Sequence, residues 1–166
     1  FDNSGEQIIT GSADLTLHGG FILDNGTLSS TGGKVSFKKG ARQSGGSLDV
    51  SGSTLILGDN YIKTAGTLTA TGDGTILELT KSLSLTSNTP VSVKTLNLND
   101  NSTLTLLTLG SETTDLTVSD AITLDAADEQ IRTQSADLTL NGLLSVDNGG
   151  LYSSDGTLEF GDGLNQ

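Results

Sequence analysis

Apolar residues in this chain alternate with polar ones in runs of three to five, and the runs return at a fixed distance. Gly26, Gly46 and Gly66 fall twenty apart, as do Leu28, Leu48 and Leu68, and Gly32, Gly52 and Gly72. Between them a second set keeps step: Leu15, Val35 and Leu55, with Leu17, Phe37 and Leu57. Phe21, Ala41 and Tyr61 make a third column. After Gly72 a two-residue slip brings Leu77 and Leu79 into the place of Leu55 and Leu57. Apolar-x-apolar pairs then continue in looser register, from Leu83/Leu85 through Leu116/Val118 to Leu158/Phe160.

Two-residue alternation is the period of a half-buried strand. The runs are bounded by Gly, Asn, Asp and Ser, which take turn conformations at little cost. A meander of hairpins would also alternate, but nothing in it returns the same side chain at the same phase. A coil that comes back to its own starting point does. Each strand then pairs in parallel with its copy one coil away, so that Leu28, Leu48 and Leu68 stack inside and Thr27, Ser47 and Thr67 outside. The expected fold is all-β: a right-handed parallel β-helix (β-solenoid) with about 20 residues per coil. Roughly three short faces per coil and seven to eight coils predict a rod about 35–40 Å long.

A longer repeat overlies the short one. Glu6-Gln7-Ile8 returns as Glu129-Gln130-Ile131, and Ser12-Ala13-Asp14-Leu15-Thr16-Leu17 returns intact from Ser135 to Leu140. Asp24-Asn25-Gly26 returns as Asp147-Asn148-Gly149. Residues 1–166 therefore read as a single β-solenoid segment: one unit over about 6–128 and the opening of the next at 129–166. About six coils fit in a unit. The chain begins at Phe1, with neither an initiator Met nor a basic-then-apolar leader, which predicts a processed or excised piece of an array.

The phrases from Gly26 to Gly32 (Gly-Thr-Leu-Ser-Ser-Thr-Gly) and from Asn60 to Gly72 resemble the repeat regions of large bacterial surface proteins. The nearest types are filamentous-haemagglutinin-like adhesins and autotransporter passengers. That resemblance implies export to the cell surface or beyond and a right-handed β-helical shaft. It also implies roles in adhesion, spacing or biofilm. No secretion domain, membrane barrel or terminal binding head is recognisable beside it.

Composition fits a thin core. Only 33% of residues are apolar and 4% aromatic, while Gly numbers 22, so glycine takes the place of large side chains. Net charge −12 and low hydrophobicity lean toward disorder, but regular spacing and a single proline, Pro90, argue against it. With no cysteine, neither disulfides nor a thiolate metal site can form. No apolar run approaches the roughly 18 residues of a membrane span. Net acidity opposes nucleic acid and anionic membrane as partners. The charge is uneven: from Asp100 onward there are twelve carboxylates and one cation, Arg132, while Lys34, Lys38, Lys39 and Arg42 cluster earlier and read as a solvated face.

Candidate chemistry is sparse. His18 is the only histidine, and its counterpart one unit later is Asn141, which suits a turn residue. A nucleophile with a histidine base, or a zinc site, lacks its second member. Asp100 and Asp120 lie twenty apart, each two residues after an apolar pair, so stacking would bring them together as a cation site for Ca²⁺ or sodium. The bland alternative is a pair of solvated turn aspartates. Asp125, Asp128 and Glu129 are a weaker calcium candidate. Phe21, Tyr61 and Tyr152 are candidates for exposure but form no ladder by spacing. The Thr/Ser positions beside Leu28, Leu48 and Leu68 suggest an ice-binding face, interrupted by Asp49.

The expectation is a non-enzymatic stalk or fibre module of a secreted or cell-surface bacterial protein, without a required cofactor. Its partners would be neighbouring repeat units or head-to-tail subunits, and a host or matrix polysaccharide. The competing readings are a polysaccharide-binding or polysaccharide-degrading β-helix and an ice-binding solenoid.

Overall fold

In the computed structural model, which describes residues 1–72, 74–85, 91–98, 105–111 and 115–166, the alternating runs are strands and no helix occurs among the described residues. The chain winds as a parallel β-solenoid of about seven turns. The first turn carries β1 (Gln7–Gly11), β2 (Leu15–Leu17) and β3 (Phe21–Leu23) on three successive faces. The next strands are β4 (Thr27–Ser30), β5 (Lys34–Phe37) and β6 (Ala41–Asp49), then β7 (Thr54–Leu57) and β8 (Tyr61–Thr69). They are followed by β9 (Ile76–Leu79), β10 (Ser82–Leu85), β11 (Val91–Val93), β12 (Thr95–Leu98) and β13 (Thr105–Leu109). The winding closes with β14 (Leu116–Val118), β15 (Ile122–Leu124), β16 (Glu129–Thr133), β17 (Leu138–Leu140), β18 (Leu144–Val146), β19 (Gly150–Ser153), β20 (Leu158–Phe160) and β21 (Leu164–Asn165).

Every strand pairing is parallel, and in the first turns each partner lies about twenty residues on. Leu28 stands opposite Leu48 and Leu48 opposite Leu68 on the first face. Leu15, Val35, Leu55 and Leu77 follow one another on the second, and Phe21, Ala41 and Tyr61 on the third. The two-residue slip is real, since Leu55 and Leu57 pair with Leu77 and Leu79. Strands β6 and β8 are long because each runs through a corner and serves two faces. The bend falls where the pairing of β6 with β8 shifts, between Gln43 and Ser47. Gly46 and Gly66 make it with φ of 61° and 77°, a region closed to most side chains.

Alternation places the leucines inward. Leu28, Leu48, Leu55, Leu57, Leu68, Leu79 and Leu83 are all buried, each contributing roughly 1.5–3 kcal/mol of transfer free energy. Aromatic rings fill the corner between the second and third faces. Phe1 meets Phe21 edge-on at 5.6 Å, Phe21 stacks on Phe37 at 5.0 Å, and Phe37 on Tyr61 at 6.3 Å. Phe21 and Tyr61, candidates for exposure by spacing alone, are therefore core residues, because both point inward on β3 and β8. Tyr152 is exposed.

The long repeat conserves pairing but not face. Ile8 pairs with Leu28 and Ile131 with Leu151; Leu17 pairs with Phe37 and Leu140 with Phe160. Even the turn ahead is copied. Glu6 accepts the amides of Asp2 and Asn3, and Glu129 those of Asp125 and Ala126. Asp24 and Asn25 donate to the Phe1 carbonyl, as Asp147 and Asn148 do to that of Leu124. Yet β16, with Ile131, continues the sheet column of β3, β6, β8, β10 and β13, which is the third face, whereas Ile8 lies on the first. One unit therefore winds one face short of a whole number of coils.

Candidate functional site

Most carboxylates with an assigned contact serve the backbone. The first face is entered by an Asp-Leu-Thr step at Asp115 and again at Asp137, and the second by the same step at Asp14. In each case the carboxylate accepts the amide one coil on: Asp14 from Lys34 at 2.8 Å, Asp115 from Asp137 at 3.0 Å, Asp137 from Thr157 at 2.7 Å. These charge-assisted bonds tie successive coils at the corners. The repeat Asp14-Leu15/Asp137-Leu138 was a visible signal for them, though composition alone made the acids look like solvated charge.

Asp120 also ties two coils, but through a side-chain hydroxyl rather than an amide. Its Oδ2 accepts the Thr95 hydroxyl at 2.5 Å, and its amide donates to the Lys94 carbonyl at 2.8 Å. Asp100 lies outside the described residues. The apolar pairs that precede them do not stack: Leu98 ends β12, whose sheet is β12-β9-β7-β5-β2, while Val118 ends β14, whose sheet is β11-β14-β17-β20. Glu129 is buried with its carboxylate held by two amides, so its side chain closes the turn at 125–129. Among the described residues no group of three His, Cys, Asp or Glu side chains is placed to hold a metal ion. His18 is exposed in the turn after β2.

A polar cluster inside the rod gave no signal in the spacing. Leu23, Gln43, Lys63 and Leu85 form one inward column. Gln43 and Lys63 are both buried. The Tyr61 hydroxyl donates to Gln43 Oε1, and Gln43 Nε2 donates to the Thr67 carbonyl at 2.9 Å. Burial lowers the Lys63 ammonium below its ordinary pKa and pushes the Tyr61 phenol up.

Packing is incomplete at the two coil edges, and the internal repeat measures by how much. Ile8, Leu15 and Leu17 are half-buried at the first edge, whereas their copies Ile131, Leu138 and Leu140 are buried beneath the coil of β13, β14 and β15. At the other edge the comparison reverses. Leu151, Leu158 and Phe160 are half-buried, while Leu28, Val35 and Phe37 are buried under the next coil. Each edge thus presents a ladder and an apolar floor that the same sequence elsewhere in the chain buries under another coil. No family model, curated protein or solved structure matches this chain.

Proposed function

We propose that this chain is a rod-forming module, a stalk or fibre segment whose edges are extended by further coils of the same kind. The observation that carries the reading is the pair of copies just compared. One sequence is covered at one place and bare at another, so its bare form matches a surface that takes a coil. Stacked coils give length and stiffness from a thin core, because backbone hydrogen bonds run along the axis and each coil needs only its neighbours. That is the physics of a spacer. The repeat phrasing around Leu28 and Leu68 supports an exported setting on a bacterial surface, where adhesion or matrix building needs such length. The role proposed is structural rather than catalytic.

Mass measurement and sedimentation of the native protein test this. A longer native chain carrying further units, or head-to-tail oligomers, is the expected result. A native chain of this length that stays monomeric at high concentration overturns the proposal.

A further inference from the structure

A basic region of this acidic rod lies on the second coil, at the corner between the second and third faces. Lys38 and Lys39 follow β5, and Arg42 points outward from β6; all three are exposed, and none forms an ion pair among the described residues. Arg42 stands in register between Ile22 and Ile62, one strand to either side. Those isoleucines are 53% and 46% exposed, so the cation is flanked by an apolar strip. Beside it is a shallow depression of about 350 Å³, lined in part by Gly20, Lys39, Gly40 and Asn60. Asp59 also lines the depression, and its carboxylate faces Lys81 at 3.9 Å, which offsets part of its charge.

The internal repeat shows that the coil does not need these cations. The same stretch returns with Gly161 for Lys38, Asp162 for Lys39 and Asn165 for Arg42. Its backbone is kept nonetheless. Lys38 donates to the Leu17 carbonyl at 3.0 Å and Gly161 to that of Leu140 at 2.7 Å. Gly40 and Gly163 both take positive φ. Phe37 and Phe160 both follow the inward alternation. The three cations are therefore an addition to the fold rather than a part of it.

We propose that Lys38, Lys39 and Arg42, with Ile22 and Ile62, bind an acidic polysaccharide. Sparse cations beside aliphatic side chains match a chain in which carboxylates alternate with neutral sugars, whose ring C–H faces cover apolar surface. A nucleic acid fits less well. It is densely charged against a protein of net charge −12. The aromatic rings nearest the strip, Phe21 and Tyr61, are buried and cannot stack on bases. This site does not depend on the rod reading above.

The test uses the purified chain and hyaluronan, with dextran and a single-stranded oligodeoxynucleotide as controls. The variant Lys38→Gly/Lys39→Asp/Arg42→Asn installs the residues that the second copy already carries, so it is expected to melt with the parent. Hyaluronan binding should weaken as salt rises and fall by about tenfold or more in the variant. Equal binding by the variant, equal binding to dextran, or tighter binding to the oligonucleotide overturns the proposal. So does absence of hyaluronan binding, and if the variant alone then changes the sedimentation coefficient, the cations serve contact between copies instead.

Discussion

The Tyr61 hydroxyl and the Gln43 side-chain carbonyl face each other across one coil spacing inside the rod, hydrogen-bonded at 2.5 Å. Tyr61→Phe leaves Gln43 Oε1 buried without its donor, which should cost roughly 1–3 kcal/mol. Adding Gln43→Leu should recover part of that loss, because leucine already occupies the same inward column at Leu23 and Leu85. A double-mutant cycle in denaturant checks both numbers, and additive losses would refute the coupling.

Lys63 gives the fold a pH dependence of unusual sign. Burial holds its folded pKa below the ordinary 10.5, so below the folded pKa the native state carries a net cost for keeping the ammonium. As pH rises through that value toward 10.5 the unfolded chain holds a proton that the native one has released, and stability climbs. Tyr61 acts oppositely: its phenol is raised from the ordinary 10.0, so above pH 10 the unfolded state ionises first and stability falls. Melting temperature should therefore rise with pH on the alkaline side as Lys63 deprotonates, and turn over above about 10 as Tyr61 opposes it. Lys63→Met should abolish the rising limb and leave the fall.

Gly66 and Gly72 both have positive φ, at 77° and 97°, but different surroundings. A Cβ on Gly66 would strike the Gly45 carbonyl of the coil beside it, while one on Gly72 meets nothing within 4 Å. Gly72→Ala should cost only the left-handed strain, about 1–2 kcal/mol. Gly66→Ala should cost clearly more or prevent folding. Equal losses by thermal melting would show that the collision is relieved by small shifts.

The two copies of one leucine offer a direct measure of the edges. Leu138→Ala removes a buried side chain and should cost about 2–5 kcal/mol. Leu15→Ala, at the same place in the repeat but half-buried, should cost well under that. Fusing residues 105–127 ahead of Gly5 should bring the two losses together, since that segment covers the homologous coil within the chain. Chemical unfolding of the parent, the two single variants, the fusion and the fusion carrying Leu15→Ala decides it.

The columns legible in the sequence are those built from leucine. Leu28, Leu48 and Leu68 announce the coil because their spacing is constant and their type unmixed. Gln43 and Lys63 obey the same inward alternation, but their polarity gives no sign of the burial the column imposes. Tyr61 was visible in its column, yet its burial follows from a stack of rings at a corner that spacing does not locate. Spacing is a weaker guide further along the chain, because twenty residues make one coil only among the early strands. Later pairings such as Leu116 with Leu138 span more, so equal spacing no longer means equal phase.

Because Ile8 and Ile131 occupy different faces, a string of such units would not display its features in a straight line. Any group standing out on one side would reappear on an adjacent side in the following unit, and would look the same way again only at every third. A flat surface could then touch one such group in three, whereas a flexible polymer wrapped around the shaft could meet them all in turn.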